Sequence, residues 1–280
     1  MIRYPRYAGS FYEGTLDALN EQLEECFRHP IGPGTIPKAS EQSFQFLALI
    51  SPHAGYMFSG PVAAHGFGFA ALTGRPDTVI IIGPNHTGHG SGLSIAVRGT
   101  WRTPLGDVDV DAELANKVQR ASKLLDIDDS AHQFEHSIEI QLPFLQYIYG
   151  STFKLIPISM RMQDLEASQD VGMAIAKTIL NRKVLLIAST DLSHYESHRE
   201  AKTKDQLVIN SILALNEGEL QSTVFSKSVS MCGYGPTSAI IIASKKLGAT
   251  QPRLLAYCTS GDTSGDYSRV VGYASIVLSP

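Results

Sequence analysis

The chain has 280 residues, 43% hydrophobic and 18% charged, with a formal net charge of −4. This is the composition of an ordinary globule and excludes a disordered or coiled-coil chain. The charge, with no long basic run, excludes nucleic acid as an expected partner, and no apolar segment approaches the roughly 20 residues that would make a membrane one.

In chain order, MIRYPRYAGSFY lacks a basic region followed by an apolar stretch, so no signal peptide is expected. Three cysteines without framework spacing argue against a disulfide scaffold and for a reducing compartment, hence a cytoplasmic location. TLDALNEQLEECF then sets Leu16, Leu19, Leu23, Cys26 and Phe27 on one helical face, with Thr15 as N-cap. Gly32, Pro33, Gly34 and Pro37 break the following stretch into a loop. A strand runs to about Ser51, and Ser59-Gly60-Pro61 opens the helix PVAAHGFGFAAL, whose small residues permit close packing on a sheet. A second strand, about 78–82, leads into a loop holding His86.

SIAVRGTWRTPLGDVDVD predicts extended structure with a turn near Pro104-Leu105-Gly106. DAELANKVQRASKLL predicts an amphipathic helix ahead of the acidic stretch Asp126 to Asp129. HSIEIQLPFLQYIY is helical too, with Pro143 kinking it or ending its first part. A strand over FKLIPISM, a helix over SQDVGMAIAKTIL and a strand to Thr190 follow. A helix over about 199–216 turns Leu207, Ile212 and Leu215 to the core, and SAIIIASKKLG is a helix or apolar run ending at Gly248. RLLAYCTS and VVGYASIVLS close the chain as strands. The alternation predicts one α/β domain over residues 1–280, with a mostly parallel or mixed central sheet flanked by helices.

Three apolar runs end on metal-capable clusters: FLALISPHAG at His53, VIIIGPNHTGHG at Asn85, His86 and His89, and VLLIASTDLSHY at Asp191 and His194. Their lack of alternation fits strands buried on both faces of a parallel sheet. Ligands of open α/β sheets sit beyond the carboxyl ends of such strands, so one site assembled from distant parts of the chain is expected. Taken singly, His53 and His86 also fit loop histidines bonded to backbone, and His89 a solvated neighbour. Asp191, three residues before His194, could orient that imidazole, or the pair could mark only a capped helix start. Cys232, between glycines in MCGYGP, is either a soft thiolate ligand or a small hydrophobe in a tight turn. Cys26 and Cys258 are expected in the core. HQFEH matches the H-x-x-E-H metallopeptidase pattern, but with three fixed positions ahead of a helix it does not predict a peptidase. Glu135, His136 and Glu139 are nevertheless expected near the working cleft.

With RYAGSFY, ISPHAGYMFSG, GPNHTG, TWRTPLG, EHSIEIQLPFLQ, STDLSHY, MCGYGP and YCTSGDTSGDYSRVVGYASI in order along nearly the whole chain, the sequence resembles the MEMO family (mediator of ErbB2-driven cell motility). Its prokaryotic members are labelled AmmeMemoRadiSam system protein B. The resemblance implies a fold similar to class III extradiol dioxygenases, which use non-haem Fe(II). It implies metal-ligand roles for His53, His86 and Cys232, and places Asp191 and His194 at the same site, His194 matching the dioxygenases' catalytic histidine. Tyr56, Glu135 and His136 would line the pocket and bind substrate. Those dioxygenases complete their iron site with a carboxylate, and a thiolate in its place makes copper or zinc competitive with iron. Two functions follow: an iron-dependent redox protein acting on a small molecule, or a non-catalytic module binding a peptide or anion in the same cleft. The family label adds a protein partner in a radical-dependent modification system.

Overall fold

Four apolar runs form the middle of the main sheet: Leu47–Ser51, Thr78–Pro84, Lys154–Met160 and Val184–Ser189. Every residue of these strands is buried except Lys154, the pattern expected when helices cover both faces. The computed structural model describes residues 1–44 and 46–280. Across the sheet the parallel order is 47–51, 184–189, 78–84, 154–160. Val270–Ser279 pairs antiparallel with 47–51, and Gln251–Thr259 pairs antiparallel with 270–279, making the sheet mixed. His194–Glu196 closes one edge against 270–271, and Leu93–Ile95 with Asp126–Ile127 closes the other. A second sheet joins Ile2–Arg3 to the hairpin Thr100–Thr103 and Gly106–Asp109, whose turn falls at the predicted Pro104-Leu105.

The helices divide into two packed groups. Leu16–Arg28, Tyr56–Leu72 and Leu142–Tyr149 contact one another, and Ala112–Ala121, Leu165–Ile179, His198–Leu213, Glu217–Ser226 and Tyr234–Lys246 form the other group. The small-residue helix lies as close to the sheet as its composition allows: a β-carbon on Gly66 would strike Leu49 and Ser275. Among the described residues no helix is long and apolar enough to cross a membrane.

The structure moves several expected boundaries. The helix expected to open at Pro61 begins at Tyr56, with Gly55 as N-cap and Pro61 inside it. A proline there removes one intrahelical donor, that to the carbonyl of Met57, and Met57 is exposed. Pro143 instead separates a 3₁₀ turn, Glu139–Gln141, from the helix that it helps to start. Thr15 occupies the N-cap position without a capping hydrogen bond, and Leu16 is exposed rather than on the buried face. The single helix expected to run to about 216 ends at Leu213. Leu215 takes a left-handed backbone (φ 51°), and Asn216 caps a further helix, Glu217–Ser226, by accepting from the Glu219 N–H. Ile212 is buried as expected, whereas Leu207 is exposed. Cys26 and Cys258 are both buried.

Candidate functional site

Strand register brings three separate segments together. Ser51 lies opposite Ser189, and Ile82 opposite Ala188, so His53, Asp191 and His86 leave adjacent parallel strands at the same end of the sheet. Cys232 arrives from the turn before the Tyr234–Lys246 helix. The Asp191 N–H donates to its sulfur at 3.2 Å, and the Gly233 N–H donates to Thr190 Oγ1 at 2.9 Å. A β-carbon at position 233 would lie 2.6 Å from the Ser189 carbonyl, so glycine is what lets this turn sit on the strand end.

Hydrogen bonds fix the tautomers. Ser189 Oγ donates its single proton to the Ser137 carbonyl at 2.6 Å and accepts from Gln141 Nε2 at 2.8 Å. His53 Nδ1, 2.9 Å from Ser189 Oγ, is therefore the donor in that contact. The Nε2 lone pair of His53 is left free and lies 3.3 Å from Cys232 Sγ. Burial, reinforced by the neighbouring His136, His86 and His194, holds the His53 pKa well below its ordinary value and the ring neutral. His86 Nδ1 donates to Glu135 Oε1 at 2.9 Å, which leaves its Nε2 free as well. One ligand atom from each of His53, His86 and Cys232 lies within 4.8 Å of the others. Tetrahedral ligands at Zn–N and Zn–S bond lengths stand roughly 3.5 Å apart. The His53–Cys232 pair is at that separation already. Two imidazoles and a thiol suit a borderline or soft ion. Burial and the nearby Asp191 carboxylate push the Cys232 thiol up, so without a cation it stays protonated.

His86, Glu135 and His136 form a second close set, also within 4.8 Å. Its carboxylate is already occupied by N–H groups. Glu135 Oε1 accepts from His86 Nδ1, His136 N and Ser137 N, and Oε2 accepts from His86 N at 2.6 Å. Burial opposes ionisation of Glu135, but the His86 hydrogen bond and the two imidazoles outweigh it and hold its pKa at about 2. Glu135, expected to bind substrate, therefore orients His86 instead and offers no open ligand position. The His136 ring stacks on His86 with centroids 4.7 Å apart, and Tyr7 and Phe11 wall it from the other side. Glu139 holds that N-terminal wall, accepting from Arg3, the Arg6 and Tyr7 N–H groups and the Tyr12 hydroxyl.

Two further expected roles change. Asp191 does not orient His194: its Oδ1 accepts from the His53 N–H at 2.8 Å, so it fixes the His53 loop instead. Its Oδ2 stands 4.0 Å from His53 Nε2, which is no ion pair because that ring is neutral. His194 Nδ1 is held by the carbonyls of Leu192 and Ser230 at 2.8 and 2.9 Å, leaving Nε2 for other partners. Tyr56 does not face the cleft. It is 1% exposed, donates to the Ile140 carbonyl and packs between Tyr12 and Phe144. His89 is exposed, as expected.

Sequence reasoning missed Ser189, Gln141 and Asp205. Asp205 is fully buried and accepts from Ser193 N–H and the Tyr257 hydroxyl, anchoring the turn that carries His194. A side chain at Gly272 would collide with it. One sequence signal was available: Asp205 shares helical spacing with Val208, Ile209 and Ile212, an acid on an apolar face. Ser189 and Gln141 left a weaker trace, as polar residues inside buried runs.

Comparison with known proteins adds to this geometry. A family model described as Memo-like protein matches residues 3–277. A MEMO1 family protein of Methanopyrus kandleri is 50% identical over 280 residues, covering 99% of each chain. One of Methanococcus maripaludis is 48% identical over 285 residues, covering 99% of this chain and all of its own. The crystal structure of an uncharacterized Escherichia coli K12 protein superposes with a TM-score of 0.57 at 12% identity, covering 83% of this chain and 99% of that one. At that identity the match speaks for the α/β fold alone.

Proposed function

The chain belongs to the Memo-like family, and from that premise we propose that it is a metal-dependent redox protein working at the strand ends. One observation carries the reading. The Nδ1 protons of His53 and His86 are both committed, so two imidazole lone pairs and the Cys232 thiol remain for one ion. Iron(II) is the metal we favour, with copper or zinc as the softer alternatives that a thiolate ligand admits. When bound, such an ion supplies Lewis acidity and, if iron or copper, one-electron chemistry with oxygen.

The chain's own residues supply the rest. His194, pinned through Nδ1, presents Nε2 as the atom that takes or gives a substrate proton. Asp191 sets the His53 loop, and Glu135 sets His86. His136, with Tyr7 and Phe11, forms an aromatic wall for a small-molecule or peptide ligand. The family label supplies the further proposal of a protein partner in a radical-dependent modification.

The test is metal content by mass spectrometry after anaerobic purification, native chain against His86→Ala. One equivalent of iron or copper, lost in the variant, supports the reading. No metal in either, with no uptake of Fe(II), Cu(I) or Zn(II), favours a non-catalytic module that binds a peptide or anion in the cleft.

A further inference from the structure

We propose that a second cavity, formed by residues 1–6, the 96–101 segment and the turn at 129–133, binds a small organic carboxylate. Its volume is about 190 Å³. Drug-sized ligands occupy roughly 300–1,000 Å³, so this cavity takes a molecule of only a few heavy atoms.

The charges of its lining decide the ligand class. Arg3 is spent: it donates to the His132 and Glu135 carbonyls, pairs with Glu139 and lies 4.2 Å over the Trp101 ring. Arg98 has no such partner, and Arg6, whose guanidinium lies 4.8 Å over the Phe134 ring, has no carboxylate on it. Among the described residues the arginine ion pairs are those of Arg3, Arg28, Arg102 and Arg182. Two arginines without an ion pair thus line the cavity against one carboxylate, Asp129. A guanidinium fork matches the two oxygens of a carboxylate. Ile2, Ala96 and Trp101 give the lining an apolar part that suits a carbon body better than a bare inorganic anion.

His132 is the second, independent observation. It lines the cavity, is 3% exposed, and neither ring nitrogen has a hydrogen-bond partner. Buried polar atoms are almost always satisfied, so an orphaned imidazole in a cavity wall marks a place where a polar partner belongs. The cavity is separate from the strand-end cluster. Arg3 and the 132–135 turn stand between them, with the Glu135 carbonyl on Arg3 and its carboxylate on His86.

Trp101 is the only tryptophan in the chain, so its indole N–H gives one isolated NMR signal. The full-length protein is titrated with butyrate at constant ionic strength, with chloride and inorganic phosphate as comparators. The expected result is a saturable shift with butyrate and none with chloride. Arg98→Gln weakens binding about tenfold, by loss of a charge-assisted hydrogen bond. Asp129→Asn tightens it, by removing the like charge. His86→Ala leaves it unchanged, which separates this site from the metal reading. A linear shift with butyrate, equal binding of phosphate, indifference to Arg98→Gln, or loss of binding in His86→Ala would each overturn the proposal.

Discussion

His53 and His132 are both buried imidazoles, and they are set in opposite ways. His53 has one nitrogen committed to Ser189 and the other turned towards Cys232. His132 has neither nitrogen partnered and rests against the edge of Trp101. Burial lowers the pKa of each, so burial alone distinguishes nothing. What separates a ligand from a bystander is the group behind it, because a hydrogen bond at Nδ1 decides whether Nε2 offers a lone pair and where it points.

Four measurements break or sharpen that comparison. The largest effect is expected from Cys232→Ala, which removes the one sulfur ligand: metal retained through anaerobic purification falls from stoichiometric to background. Full retention would remove Cys232 from the ligand set. Next, Ser189→Ala leaves all three ligands but frees the His53 ring, and metal affinity falls by about 10–100-fold, the usual effect of losing an orienting partner. An unchanged affinity in a competition titration would show that burial alone positions His53.

On the other side, His132 should govern acid stability and not metal. Burial, with Arg3 adding to it, moves its pKa from its ordinary value near 6.5 to about 3. The unfolded chain therefore takes up a proton that the folded chain refuses. Its contribution is complete above pH 6.5 and is lost as pH falls from there towards 3. His132→Phe has no such proton and should flatten the stability slope in that window by at most about 1.4 kcal/mol per pH unit. Denaturant midpoints at several pH values measure it, and parallel curves for the two proteins would reject the assignment. The smallest effect on metal belongs to His194→Ala, whose content should stay within about twofold of native while turnover disappears. Metal lost with His194 would make it a ligand.

Much of the strand-end site was legible along the chain. An apolar run that stops at a polar residue records both the strand and its end, so the places of His53, His86 and Asp191 follow from short stretches. Helix boundaries were less legible where turn chemistry intervened. Pro61 sits inside its helix, because one missing donor near an exposed first turn is tolerated. The break at Leu215 was hidden because its left-handed backbone does not disturb the apolar spacing on either side. Tyr56, expected in the pocket alongside the family resemblance, is turned inward to Ile140 by the start of its helix.

By itself the sequence determined the family, through motifs spread over almost the whole chain, the α/β class and the donor types available at each strand end. Tertiary structure alone decided which donors meet. His53 and Cys232 are 179 positions apart, and Ser189 lies 136 from the ring it holds. Spacing and propensity act over a few residues. Strand order and register are set by packing across the whole sheet, and only there is an imidazole given its tautomer and direction.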